Sequence, residues 1–253
     1  MAELVNYYYS GQGSLYVAAR DTDTGLPLGF TRVGNIPKLT VDIEIDKFEH
    51  KESESGQRLI DLTIIKEKKG TFNFTLENLS IANLVLGLWG EQSAVTGAAI
   101  TNEAVTAHLG KRTALKHLQI SAVTVTDVAG TTTYTVDTDY VIDAANGALD
   151  IPTDSTIAEG ETIHVDYTHA AYTDLQAFTQ TTPPERFLRF EGINTVDDKP
   201  VIVELFRAVF DPLTGYELIN EELGSLEMRG NVLADPKRTT GSKFMRQLNL
   251  ATV

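Results

Sequence analysis

Groups able to do chemistry are plentiful in this chain, so the first question is whether any are spaced to act together. Asp and Glu number 35 against 21 Lys and Arg, a formal net charge of −14. Asp42 and Glu44 share a strand face, but no apolar pocket accompanies them to raise one carboxyl into the range of a general acid. The histidines His50, His108, His117, His164 and His169 are scattered, with no HExxH or comparable ligand spacing. Neither a GxSxG elbow nor a GxxxxGK[ST] phosphate loop is present. Absence of cysteine removes thiolate nucleophiles, thiolate metal sites and disulfides together. Gly11-Gln12-Gly13 resembles the start of a dinucleotide fingerprint, which needs a helix to follow, and the sequel is strand-like. Asp21 and Asp23 lack the further oxygen ligands of a calcium loop. Asp137, Asp139 and Asp143 read as solvent-facing aspartates around Tyr134 and Tyr140. No catalytic, metal or cofactor site is expected, and the chain reads as a non-enzyme.

The negative charge argues against tight nucleic-acid binding, which needs clustered basic residues to displace counterions, but not against a surface past which DNA slides without sticking. No charged-then-apolar leader opens the chain and no apolar run nears the ~20 residues of a membrane helix, so folding in a cytoplasm is expected.

The elements that would position these groups centre on residues 37–90. Three alternating strands are predicted there, around residues 39–46, 58–67 and 71–77, each with one apolar and one polar face. Ser80 then caps a short helix whose Ile81, Leu84, Val85 and Leu88, followed by Trp89, form the core-facing stripe, with Gly90 as the left-handed C-cap. Between the first two strands, residues 47–57 read as a mobile, charged loop, longer than a hairpin connection needs. Upstream, Tyr7, Tyr8 and Tyr9 form a strand broken at Gly11-Gln12-Gly13 and resumed at Ser14.

After Gly90 the composition turns small and polar, as in a linker. Strands follow over 118–127, 132–142, 148–151 and 162–167, with Asn146-Gly147 as a hairpin turn. Strands near 185–191, 199–209, 226–233 and 244–250 close the chain, the second of these with apolar residues on both faces. Asp235-Pro236-Lys237-Arg238, with Lys243 and Arg246, reads as a basic corner facing an acidic neighbour. The expected organisation is a β domain over 1–91 and 172–253, interrupted by an outward-facing β module at 92–171.

Gly34-Asn35-Ile36-Pro37-Lys38-Leu39, the acidic strand, Glu49-His50-Lys51-Glu52-Ser53 and Phe72-Asn73-Phe74-Thr75-Leu76-Glu77-Asn78-Leu79-Ser80 resemble major tail tube proteins of long-tailed, siphovirus-like bacteriophages. Asp139-Tyr140 and Asn146-Gly147 resemble small β modules of phage structural proteins. The resemblance implies a mainly-β fold: a tail-tube-type β-sandwich or half-barrel with one flanking short helix, plus an inserted Ig-like or similar small β domain. It implies a virion protein, assembled in the host cytoplasm, whose hexameric rings stack into a tube delivering genomic DNA. The partners implied are the chain itself, a tape-measure protein, tail terminator and tail-tip proteins, and DNA in transient passage. Asp42, Glu44, Asp46, Asp61 and Glu67 are the candidates to line an acidic lumen. Phe48, Glu49, His50, Lys51, Glu52, Glu54 and Arg58 are the candidates for ring stacking. The alternatives are a carbohydrate- or cell-surface-binding module using Tyr134, Tyr140, Tyr167 and Tyr172, and a β-rich hydrolase with convergent carboxylates.

Overall fold

The computed structural model describes residues 8–249. Its elements are β1 (Gly11–Arg20), β2 (Pro27–Arg32), β3 (Lys38–Lys51), β4 (Ile60–Leu76), α1 (Ile81–Gly87), β5 (Glu91–Val95), β6 (Ala98–Thr106), β7 (Lys111–Ala114) and β8 (Ile120–Asp127). There follow β9 (Val141–Asp143), β10 (Ala148–Ile151), β11 (Thr162–His169), β12 (Tyr172–Gln176), β13 (Glu185–Asn194), β14 (Lys199–Phe210), β15 (Leu226–Val232) and β16 (Met245–Asn249). The protein is mainly β, as expected. It divides into two compact units, one of residues up to Glu91 and from Leu175 onward, the other of Gln92–Asp174.

The first unit is one antiparallel sheet in the order β2-β1-β13-β14-β15-β4-β3. β14 is shared along its length: Ala208–Phe210 pair with β15, and Val201–Leu205 with β16. A single core gathers Leu15 of β1 with Phe72, Phe74 and Leu76 of β4, four strands away in the sheet, so the sheet curls about its own apolar face. Phe72 meets Phe210 edge-on at 5.0 Å. Gly230 is required beneath them, because a Cβ there would lie 2.1 Å from the Val209 carbonyl oxygen and 2.6 Å from the Phe72 ring. Phe187, Phe206 and Ala18 form a second cluster. β14 carries buried apolar side chains of alternating parity, Leu205 in the first cluster and Phe206 in the second, as its two-sided pattern predicts.

Three expectations change here. The second and third predicted strands are one continuous strand, β4, and β3 runs on to Lys51, so the pair is a single long hairpin. Gly11-Gln12-Gly13 lies within β1 rather than breaking it; Gly13 sits opposite Gly192, where two chains approach closely. Tyr8 and Tyr9 lie outside any strand, and Tyr7 lies outside the described residues.

The helix is capped by Ser80, whose hydroxyl accepts from the Asn83 N–H, as predicted. Its buried side is Asn83, Leu86 and Gly87; of the expected stripe Leu84 packs half-buried against the main cluster, Val85, Leu88 and Trp89 are half-buried, and Ile81 is exposed. Seven residues make barely two turns, so a polar anchor outweighs the apolar period: the Asn83 amide donates to the carbonyls of Val33 and Asn78. The left-handed residue at the helix end is Trp89 (φ 49°), not Gly90. The indole N–H of Trp89 donates to Phe210 O at 3.0 Å, fixing the residue there.

In the second unit, β6-β11-β8 and β7-β10-β9 form two sheets over a core of Val125, Leu149, Ile151, Ile157, Ile163 and Val165 with Tyr134, Tyr140 and Tyr167. The presumed linker after Gly90 is instead β5 and β6, and the strand expected over 132–142 is reduced to isolated bridges at Thr133, Val136 and Tyr140, a turn over 137–139 and the start of β9. β9 and β10 form the hairpin around Asn146-Gly147. β5 pairs with β12, so the departing and returning chain lie side by side, the condition under which an insertion leaves its host undisturbed.

Candidate interaction surface

The far half of the β3–β4 hairpin holds most of the residues singled out by sequence. β3 ends the sheet order and pairs only with β4, leaving its outer edge unpartnered among the described residues. In register, Asp42 faces Thr71, Glu44 faces Lys69 and Asp46 faces Glu67. Directly opposed residues share a face. Glu67 therefore lies with Asp42, Glu44 and Asp46. A bulge at Lys66 shifts β4 by one residue, and a second bulge leaves Asp61 beside His50, with Asp61 Oδ1 2.6 Å from His50 Nδ1. His50 continues the parity of Asp46, so the five carboxylates named from sequence gather on one face of the hairpin. The hydrogen bond from His50 lowers the Asp61 pKa, with the imidazole charge adding to it.

The opposite face is the continuation of the core. Leu39 and Val41 pack on the main cluster, and the same parity then carries Ile43 and Ile45, which are exposed. Lys68 is opposite Ile45, Lys47 opposite Ile65 and Lys51 opposite Ile60. One face thus carries the carboxylates together with Lys69, and the other is apolar with Lys47, Lys51 and Lys68. Phe48, Leu62 and Ile64 are also exposed, so the hairpin's outer half has uncovered apolar side chains on both faces.

The hairpin end is not the mobile loop predicted over residues 47–57. Lys47, Phe48, Glu49, His50 and Lys51 lie in β3, with Lys66 Nζ 5.3 Å from the centre of the Phe48 ring. Glu52 organises the turn. Its carboxylate accepts from the Glu54 and Ser55 N–H groups and the Ser55 hydroxyl, bonds that bring its pKa down to about 2. Glu54 lies in that turn, and Arg58 leaves it with φ 51°. What sequence inspection missed was that the alternation runs through the charged segment: Phe48 and His50 keep the parity of Asp46, and the charges obscured it.

Sequence inspection also missed residues 216–223. This turn-rich segment between β14 and β15 leaves Leu218 80%, Ile219 96% and Leu223 89% exposed, among Glu217, Glu221 and Glu222. The signal was there, in apolar residues without strand or helix period amid glutamates.

The proposed basic corner is instead used internally. Arg238 stacks on the Phe206 ring at 3.6 Å, Asp235 is buried against Arg20, and Arg246 pairs with Glu204. Burial alone would push the Glu204 pKa up, but Arg246 and Arg189 outweigh it and hold the carboxylate below its ordinary value. Asp139 is likewise no solvent-facing residue. It is buried and accepts from Thr135 N, Thr156 N and the Thr156 hydroxyl, which lowers its pKa. Tyr134, Tyr140 and Tyr167 are buried and Tyr172 is half-buried, so they offer no aromatic platform. Among the described residues no group of three or more ligands could hold a metal ion, and no helix is long and apolar enough to cross a membrane.

Compared with known proteins, residues 8–248 match the model of a family described as "Protein of unknown function UCP028589". No curated protein matches the chain.

Proposed function

For this chain, which belongs to the UCP028589 family over residues 8–248, we propose the role of a self-assembling structural subunit, of the kind that stacks in rings to form the tail tube of a long-tailed bacteriophage. The observation that carries this reading is the outer half of the β3–β4 hairpin. It has a free strand edge and exposed Ile43, Ile45, Phe48, Ile60, Leu62, Ile64 and Ile65. A long apolar edge strand with no partner is a template for another chain, and ring closure is one way to remove it. Head-to-tail contacts close into rings or continue as filaments according to the rotation between copies.

The carboxylate-rich hairpin face suits a bore that DNA traverses without sticking, since hydrated carboxylates repel phosphate. Asp42, Glu44, Asp46, Asp61 and Glu67 are the residues assigned to it, and the residues from Phe48 to Arg58 to contacts between rings. The carbohydrate-binding reading is weaker, because the tyrosines it relies on are largely inside the second unit.

The test is light scattering and negative-stain electron microscopy of the concentrated protein. Hollow rings or tubes are expected. A chain that stays monomeric at all concentrations, with and without preformed tail-tip complexes as seeds, overturns the reading.

A further inference from the structure

The apolar hairpin face forms one wall of a cleft of about 240 Å³, lined by Val41, Ile43, Ile45, Val232, Phe244 and Met245, with Lys68 beside them. It is the sheet's core surface carried past the point where the first unit's own chain covers it: Val232 is buried, whereas Ile43 is 71% exposed. The segment 216–223 has the complementary character, with three exposed aliphatic side chains among three glutamates. Within one chain the two are held apart. The segment is tied beside α1, where Leu213 N donates to Gly87 O, and it leads into β15 at Leu226 opposite Leu76. The cleft lies at the other end of β15, where Val232 is opposite Gly70. Those six steps along the strand separate the sites by ~20 Å.

We propose that residues 216–223 of one copy dock into the Val41–Ile43–Ile45 cleft of a second copy, head to tail, with Glu221 and Glu222 meeting Lys68, which lies opposite Ile45 on that face. The inference rests on the self-association proposed above and names one contact that produces it. Leu218, Ile219 and Leu223 supply apolar surface that an isolated chain leaves in water, and the charge match selects the orientation. Because donor and acceptor are different surfaces, every open assembly keeps one of each free, and growth continues until a ring or stack closes.

The chain has no cysteine, so cross-linking can be directed. Two full-length single-cysteine variants, Ile219→Cys and Ile43→Cys, are mixed and mildly oxidised; both sites are exposed enough to leave the fold unchanged. The mixed disulfide is expected in excess over both homodisulfides. Adding Lys68→Glu to the Ile43→Cys chain is expected to lower its yield about tenfold. Adding Glu221→Lys and Glu222→Lys to the other chain is expected to restore it. A statistical mixture of disulfides, or dominance of the Ile43→Cys homodisulfide, overturns the docking. Electron microscopy of the wild type separates the two readings. Hollow tubes without the mixed disulfide overturn the docking and leave the tube reading standing; the mixed disulfide without hollow assemblies does the reverse.

Discussion

The two units treat their apolar side chains differently. Across Gln92–Asp174 the exposed large hydrophobics are Leu118, Val128, Val136 and Val141, whereas the hairpin alone exposes twice as many between Ile43 and Ile65. The inserted unit also ties up its polar groups: Asp139 clamps two loops, Asp143 and Asp150 share Arg112, and the buried Tyr167 hydroxyl donates to buried Glu103. Such a unit is complete on its own. The first unit is not, because its sheet continues past its core and leaves apolar side chains exposed on both faces of the hairpin. The difference teaches that composition alone conceals organisation: both units are β-rich, and only burial distinguishes a covered core from an apolar surface left in water.

The sharpest way to break this comparison is to remove the uncovered half. Replacing residues 45–68 by an Asn-Gly turn joins Glu44 to Lys69, which are already paired. Assembly is expected to be lost completely, while thermal unfolding still reports a cooperative monomer built on Phe72, Phe74 and Phe210. Tubes from the shortened chain would remove the hairpin from the assembly contacts. The reciprocal deletion takes out residues 92–174 and joins Glu91 to Leu175 through a short Gly/Ser linker. Folding and assembly are expected to persist, and failure of the first unit to fold would make the insert part of its scaffold.

Core substitutions sharpen the same contrast at the next level. Phe72→Ala removes a ring packed on Phe210 and is expected to destabilise the first unit by about 3–5 kcal/mol, while Ile163→Ala should cost the insert about 2–5 kcal/mol. Circular dichroism melts should show two transitions, each variant moving one of them. A single transition shifted equally by both would mean the units unfold as one. Only the Phe72→Ala variant is expected to impair assembly. A smaller effect is expected from Asp42→Asn with Glu44→Gln: tubes of normal length, but slower DNA ejection from particles that carry them. Unchanged ejection kinetics would separate these carboxylates from the bore.

Much of this architecture is legible in the sequence where the period is clean. Leu39 to Ile45 and Phe72 to Leu76 announce their strands, and Ser80 announces the helix start, because local geometry alone sets those signals. The bulges at Lys66 and Asp61 are not legible, yet they decide that Asp61 and Glu67 join the face of Asp42. They depend on a cross-strand register that no single strand encodes. The helix stripe was misassigned because Asn83 anchors the helix through long-range hydrogen bonds, which a hydrophobic period cannot register. Residues 98–106 passed for a linker because their small side chains hide a strand whose order comes from pairing with β11.

The smallest expected effect concerns protons, and it too divides the units. Asp139 and Asp61 both have pKa values lowered below the 3.8 of a free aspartate, but Asp139 is buried beneath a loop clamp whereas Asp61 is about half exposed beside His50. A carboxylate whose folded pKa is depressed adds stability that is fully present above its unfolded value and is lost as pH falls through the folded one. The insert should therefore lose stability below about pH 4, as Asp139 takes up its proton and Thr135 N and Thr156 N lose their charged acceptor. Asp139→Asn should lower the insert's melting temperature at neutral pH and flatten its decline below pH 4, because the group that titrates is gone. Asp61→Asn should leave the first unit's melting temperature and acid limb unchanged, since solvent screens an exposed pair. Melts of both variants from pH 3 to 7 would decide it: an acid limb unchanged by Asp139→Asn would place the insert's acid sensitivity elsewhere, with Asp143 and Asp150 around Arg112 the next groups to replace.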